Sequence, residues 1–417
     1  LDLEQMKIIC KQIADTGLID YLNIIAHTNI THLGRSRHWA PTPTRHGIFV
    51  HLAGAIREVV NLPVFAVGRI VDPAHAEHII AHGQADMVGM TRAHICDPQI
   101  LPKIRGHLEA SIRICVGANV CIANRYAGKP IRCIQNPTVA TPGVALSPTK
   151  ASKKVSVIGA GPAGLECARI CAERGHTVQV FDAANRPGGQ LALWASAPST
   201  GELARIIDWR VDELERLGVP LMLNRPMARQ NIVDLDAEVV VIATGALDAC
   251  RSFAGDGSMQ MISVHELLCG APVSAAKTLV LSEGRGQAGL VAGEVLLHQG
   301  IATEIVTSDI AVAADLDPTN RAAWYHRLGE HNCIFTAAHV VESVNADTVV
   351  LRNVFDDRLS KREGIHLIVD WSGCRANDEL IHGWNDAALE VFSIGDCRAP
   401  RTVEVAISEA SALANRI

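Results

Sequence analysis

The sequence predicts an α/β protein: a short barrel-type unit of parallel strands, followed by two Rossmann-like nucleotide-binding domains. Three observations carry this. The first ~110 residues alternate apolar strand-like runs with helical periodicity, the pattern of a parallel sheet. Two glycine fingerprints, Gly159-Ala160-Gly161-Pro162-Ala163-Gly164 and Gly284-Arg285-Gly286-Gln287-Ala288-Gly289, each follow a strand and open a helix. The spacing from Gly159 to Gly175 and from Gly284 to Gly300 is 16 residues in both, so the unit is repeated.

Leu3 to Ala14 has helical spacing, Ile19 to Ile25 reads as a strand, and a His- and Arg-rich loop runs from His27 to Arg45. Ile48 to Val60 reads as a helix, Leu62 to Val67 as a strand ending in Gly68-Arg69, and Pro73 to His82 as a helix. Ala85 to Gly89 is the third strand, ending in Met90-Thr91-Arg92. Three strands cannot close a (β/α)8 barrel, which takes about 250 residues. Strand C-terminal ends are where barrels place their sites and often bind phosphate. Gly68, Arg69, Gly89, Met90, Thr91 and Arg92 are therefore candidates for an FMN phosphate. The alternative is that either Arg caps a helix or pairs with Asp97. His27, on the loop after the first strand, is a candidate for touching substrate, although a loop histidine is more often solvated.

Residues 113–137 form a cysteine run. Cys115, Cys121 and Cys133 sit at cluster-ligand positions, while Ala118 fills the remaining place. A 4Fe–4S cluster normally takes four thiolates. Three readings stand: a cluster with three protein thiolates, a loop kept for shape after the cluster was lost, or zinc or simple packing. Cys10, Cys96, Cys167 and Cys171 read as packing residues.

Residues 138–152 read as a linker. In the first fingerprint Gly159 permits the sharp turn, Gly161 the approach of a pyrophosphate, and Gly164 close helix packing, with the helix N-terminus facing the phosphate. Asp182 ends the next strand, where a carboxylate can take ribose hydroxyls. Gly189-Gln190, Thr244-Gly245 and Gly395-Asp396 resemble further elements of flavin disulfide reductase-like folds, and with Ala163 they complete a candidate FAD or ADP site. In the second fingerprint Gly284, Gly286 and Gly289 stand where NAD(P)H is usually bound. Thr307 and Ser308 replace the ribose acid, and Glu283 adds negative charge beside the glycines. These details favour a retained fold over a working cofactor site.

The chain has 417 residues, 48% hydrophobic and 20% charged, with net charge −6 and no basic block. A nucleic-acid or anionic-membrane partner is not expected. No apolar stretch reaches bilayer length and no signal peptide is evident. The 12 cysteines are scattered, which in a chain this large favours reduced thiols and a cytoplasmic setting.

Val67-Gly68-Arg69, Cys115 to Asn136, Gly159 to Leu191 and Gly395 to Pro400 together resemble the trimethylamine dehydrogenase / 2,4-dienoyl-CoA reductase branch of the old yellow enzyme family. The Cys-Val-Gly-Ala-Asn-x-Cys form is similar to the dimethylglycine and N-methylproline demethylases. The resemblance covers essentially the whole chain and implies this division: 1–112, the C-terminal portion of an FMN barrel; 113–152, a degenerate iron–sulfur loop and linker; 153–275 with 380–417, the FAD- or ADP-binding domain; 276–379, the NAD(P)-type domain. It also implies that five opening barrel strands, with the Tyr/His pair over the flavin, lie upstream. The implied activity is oxidative N-demethylation of a small N-methylated amine or amino acid in an oligomeric enzyme. Electrons would pass to a flavoprotein or iron–sulfur subunit. Tyr126 is a candidate aromatic contact for a cationic amine. Two alternatives remain, an NAD(P)H-dependent ene-reductase and a non-catalytic electron-transfer subunit.

Overall fold

A computed structural model describes residues 1–139, 147–255, 258–284, 286–384 and 389–417. They divide into two compact units, residues 1–142 with 318–323, and residues 143–317 with 324–417.

The first unit opens with α1 (Leu3–Asp15), started by a capping box in which Asp2 and Gln5 satisfy each other's backbone N–H groups. Then follow β1 (Leu22–Ile24), α2 (His32–His38), α3 (Val50–Arg57), β2 (Val64–Ala66), α4 (Pro73–Ala81), β3 (Met87–Val88), α5 (Thr91–Cys96), α6 (Ile100–Arg105) and α7 (Val120–Tyr126). The three strands form one parallel sheet in the order β1-β2-β3. Ala53 and Ile56 of α3, Ile79 of α4 and Cys10 of α1 pack on Val64 and Ala66 of the central strand.

The loop expected from His27 to Arg45 contains a helix, α2. Its Leu-Gly-Arg-Ser-Arg-His sequence has no apolar stripe, so periodicity misses it. The Thr31 hydroxyl caps it by accepting from Gly34 N at 3.0 Å.

The second unit holds β4 (Lys154–Ile158), α8 (Pro162–Glu173), β5 (Thr177–Phe181), α9 (Gly189–Trp194), α10 (Ala204–Arg216), β6 (Leu221–Met222), α11 (Arg229–Val233), β7 (Val239–Ile242), β8 (Ala246–Asp248), β9 (Ala254–Gly255), β10 (Gln260–Ser263) and α12 (Val264–Leu268). β11 (Lys277–Ser282), α13 (Ala288–His298), β12 (Ala302–Val306), α14 (Pro318–Glu330, of which 318–323 are grouped with the first unit), β13 (Ile334–Thr336), β14 (His339–Asn345), β15 (Thr348–Asn353), β16 (Leu359–Arg362), β17 (Leu367–Trp371), β18 (Cys374–Ala376), β19 (Glu390–Ser393) and α15 (Val403–Ala414) follow.

Two five-stranded sheets result. One has the order β19-β7-β4-β5-β6 and the other β10-β17-β11-β12-β13, with every pairing parallel. β17, β11, β4 and β7 are buried almost throughout because helices cover both faces of such sheets. β8 and β18 form a separate antiparallel pair, and β9 with β14–β16 a small four-stranded sheet.

β10 pairs with β17, so Gln260–Ser263 is laid in the second sheet. The expected boundary at 275/276 put this segment with the first. Short strand β10 carries no local mark of its sheet, and its partner lies about a hundred residues downstream in sequence.

α8 is pinned by a buried charge cluster. Glu166 pairs with Arg169 at 2.6 Å and with Arg210 of α10 at 2.9 Å, and the Glu166 and Arg210 side chains are wholly buried. Guanidinium and carboxylate compensate each other's desolvation only while all partners stay.

Candidate functional site

The residues of the first fingerprint converge on the N-terminus of α8. Gly159 turns the chain at φ +113°, and a Cβ there would lie 2.2 Å from the Ala243 carbonyl oxygen. A Cβ at Gly164 would lie 1.9 Å from the Gly159 oxygen. These two glycines are therefore required by packing. Gly161 differs, since a Cβ there would meet nothing within 4 Å. Its open side is the space a pyrophosphate needs. Gly189 opens α9 at φ +52°, its Cβ position 3.4 Å from Gly161 Cα, so two backbones face one space.

Asp182 closes the loop from the end of β5. Its carboxylate accepts from Ala160 N at 2.6 Å and from Ala184 N at 2.7 Å. Each carboxylate oxygen retains acceptor capacity. Thr244 and Gly245 follow β7, beside Gly159. The Thr244 hydroxyl donates to Asn377 O at 2.8 Å, and Gln190 Nε2 donates to Ala246 O at 2.8 Å. The Cβ position of Gly395 is 3.0 Å from Ala163 Cβ. Asp396 accepts from Arg401 N at 2.9 Å, and burial pushes its carboxyl above the usual range. A helix N-terminus, an open glycine pair and an acid at the next strand end fit an adenine dinucleotide or ADP.

In the first unit, Gly68 and Gly89 end adjacent strands. A Cβ at Gly68 would lie 2.7 Å from the Phe49 ring and one at Gly89 2.7 Å from Val67 Cγ1. Arg69 is buried at φ +56°, and its Nη1 donates to the Thr44 and Pro41 carbonyls. Its Nη2 lies 2.7 Å from the Cβ position of Gly117. Arg92 Nη1 donates to Ala40 O at 2.9 Å and Asn119 Oδ1 at 2.5 Å. Asp97, the alternative partner, pairs with Lys103 at 2.7 Å. Both arginines tie residues 40–44 to the cysteine loop. α5 opens at Met90-Thr91 with no side-chain cap, which leaves its first-turn amides facing whatever lies beyond the strand ends.

Cys115, Cys121 and Cys133 line one cleft, together with Ala118, Arg92 and Gln135. Its non-protein space is about 300 Å³, the open mouth included. Among the described residues no group of three or more His, Cys, Asp or Glu side chains is placed to hold a metal ion. Ala118 offers only a methyl, and its carbonyl accepts from Asn320 Nδ2 at 3.0 Å. The residues present do not fit a four-thiolate cluster. Burial pushes the Cys115 thiol up and the Cys121 thiol up to about 11. Cys133 goes the other way, to about 6, because the Cys96 thiol donates to it and the N–H groups of Gln135 and Asn136 add to that. The sequence reading took Cys96 for a packing residue. It lies 37 residues before Cys133, and no spacing motif could have joined them.

His27 sits at φ +65° with its ring 5.9 Å from that of Phe49, and burial, then Arg37 and His38, lowers its pKa. At Tyr126 the Arg35 guanidinium lies over the ring at 4.3 Å, and the hydroxyl accepts from Trp39 Nε1 at 2.9 Å, so a cation of the chain itself already lies against this ring.

At the second fingerprint, the Cβ position of Gly284 is 2.6 Å from Gly373 N and from Trp371 Nε1, and that of Gly289 is 2.5 Å from Ser282 Oγ. These glycines serve packing. Glu283 and Asp315 turn their carboxylates on the loop and its surroundings, as described below. Arg285 lies outside the described residues.

Residues 4–111 match the model of the NADH:flavin oxidoreductase / NADH oxidase family, and residues 157–210 that of an NAD(P)-binding Rossmann-like domain. The chain is 32% identical to the N,N-dimethylglycine/sarcosine dehydrogenase of Chromohalobacter salexigens, over 98% of this chain and 65% of that protein. The first unit carries an NADH:flavin oxidoreductase / NADH oxidase family domain. Another relative, a probable N-methylproline demethylase of Rhizobium meliloti, is 33% identical over 96% of this chain and 64% of its own length. Histamine dehydrogenase from Rhizobium sp. 4-9 superposes with a TM-score of 0.91 at 24% identity, covering 99% of this chain and 63% of that one, so the fold is shared. The chain spans just under two thirds of the length of these proteins. The match over residues 4–111 supports FMN for the first unit, and the Rossmann-like match supports a nucleotide or flavin in the second. No helix among the described residues is long and apolar enough to cross a membrane.

Proposed function

We propose that this chain is part of a flavin-dependent oxidoreductase that oxidatively N-demethylates a small N-methylated amine or amino acid. The observation that carries the reading is the likeness to two relatives named for that chemistry, at 32% and 33% identity over nearly the whole chain. When bound, FMN supplies two-electron acceptance from an N-methyl C–H bond. The substrate iminium then takes up water and breaks down to formaldehyde and the demethylated amine.

The chain's own groups are assigned as follows. Gly68, Gly89 and the uncapped start of α5 at Met90-Thr91 hold the FMN phosphate, with backbone N–H groups as donors. Arg69 and Arg92 act behind them, bracing the cysteine loop against residues 40–44 and adding positive charge near the phosphate. Gly159, Gly161, Ala163, Gly164, Asp182, Gly189, Gln190, Thr244, Gly245, Gly395 and Asp396 surround FAD or ADP. His27, kept neutral near pH 7, is assigned to the substrate side. Electrons leave to a flavoprotein or iron–sulfur partner.

The test is product analysis. Protein incubated with N,N-dimethylglycine, sarcosine or N-methylproline and an artificial one-electron acceptor should release one formaldehyde per amine demethylated. Turnover of none of these, with turnover of an activated alkene instead, would contradict the reading.

A further inference from the structure

The second glycine loop keeps the shape of a dinucleotide site, yet the chain's own carboxylates take its anion-binding positions. Asp315 accepts from Gly286 N through both oxygens, at 3.1 and 3.0 Å. Gly286 is the glycine that admits a pyrophosphate in such loops, and a Cβ there would meet nothing within 4 Å. The open space beside it thus faces an amide already bound to an anion. At the end of β12 the place of a ribose-binding acid is taken by Thr307, and Ser308 follows it. The Ser308 backbone N–H and hydroxyl both donate to Glu283, at 2.7 and 2.5 Å. Glu283 therefore reaches from the end of β11 to the end of β12, across the place of the ribose.

Neither carboxylate hangs on a loose arm. Glu283 N and Gly284 N both donate to Trp371 O, at 2.9 and 2.8 Å. The turn bearing Asp315 is anchored by Val312 and Ala313, both buried in the core of the second sheet. Tyr325 donates to Val312 O at 2.9 Å and Leu316 N to Ala313 O at 3.0 Å. Gln287, next in the loop, accepts from Trp324 Nε1 at 3.1 Å.

We propose that Asp315 and Glu283 are an internal plug that closes the second glycine loop to NAD(P)H. A pyrophosphate would displace the Asp315 carboxylate from the Gly286 amide and lie against the negative charge of both carboxylates. NAD(P)H then does not deliver electrons through this domain. The inference does not rest on the amine reading, because a closed loop is compatible with any organic electron donor.

The test is equilibrium binding of NADH and NADPH to the holoprotein with its flavin and first-loop nucleotide in place. Calorimetry or quenching of tryptophan fluorescence reports it, since Trp324 contacts the loop through Gln287. Wild type is expected to show no saturable binding up to about 1 mM, and the neutral pair Glu283→Gln with Asp315→Asn to gain affinity by roughly 100-fold or more. Glu283→Ser with Asp315→Ser serves as the second variant, and the nucleotide content of the first loop reports that each has folded. Saturable wild-type binding in the micromolar range overturns the proposal. So does the failure of both folded variants to gain binding.

Discussion

The amide of Ala160 donates to the Asp182 carboxylate at 2.6 Å, and in the second domain the amide of Gly286 donates to both oxygens of Asp315, at 3.1 and 3.0 Å. The two contacts have opposite consequences. Asp182 stands at the end of the neighbouring strand, where a ribose belongs, and leaves Gly161 open. Asp315 comes from beyond the next strand and covers the amide itself. On the proposal above, a repeat legible in glycines thus separates into one open and one closed site by where its carboxylates are placed.

Gly159 and Gly161 should respond differently to alanine. At Gly159 the new Cβ meets a carbonyl at 2.2 Å in a left-handed backbone, so Gly159→Ala should lower the melting temperature and abolish bound nucleotide. At Gly161 there is room, so Gly161→Ala should melt near wild type yet retain less nucleotide. Chromatography of nucleotide released on denaturation, beside a thermal melt, separates them. Equal melting losses would contradict the assignment of Gly161 to the ligand.

Glu166 lies wholly buried between two arginines. Glu166→Ala should cost roughly 3–5 kcal/mol in denaturant unfolding, because it leaves buried guanidinium groups without their counter-charge. A loss below about 1 kcal/mol would mean the cluster is not desolvated as described.

Asp97 joins the end of α5 to the cysteine loop. Burial alone would raise its carboxyl, but the Arg113 N–H, the Lys103 ammonium and the Gln99 N–H outweigh it and hold the pKa below the usual value. A depressed carboxyl contributes stability that is complete above the unfolded pKa, about 3.9, and lost as pH falls through the folded one. Asp97→Asn should therefore weaken the protein at pH 7 by about 1–3 kcal/mol and flatten the acid limb of its stability curve. An unchanged acid limb would contradict this.

The Cys96 thiol and two amides push the Cys133 thiol down, while burial pushes the Cys121 thiol up to about 11. Small alkylating agents at pH 7 should label Cys133 before Cys121, as read by peptide mass spectrometry. Cys96→Ala removes the main donor and should shift the pH midpoint of Cys133 labelling upward. A midpoint unmoved by that change would assign the shift to the backbone amides alone.

Much of this architecture is legible in the sequence because parallel strands are continuous apolar runs and glycine loops have fixed spacing. Val155 to Ile158 and Thr278 to Ser282 fall where expected for both reasons. Helix α2 is not legible, since its boundary rests on one Thr31 hydroxyl bond rather than on a stripe. The placement of β10 is not legible because a four-residue strand does not name its partner. The same holds at the sites. Gly159, Gly161 and Asp182 announce themselves by spacing. The Cys96–Cys133 contact, the Arg35 cover on Tyr126 and the Asp315 plug join residues between 29 and 91 positions apart, and only folding brings them together.

The central claim is that an N-methylated amine, and not NAD(P)H, reduces the flavin. Anaerobic absorbance of the flavin band tests it most directly, with N,N-dimethylglycine or N-methylproline in one cell and NADH or NADPH in another. The account predicts bleaching by the amine with release of formaldehyde and no bleaching by either nicotinamide. Bleaching by NADH or NADPH alone would contradict it.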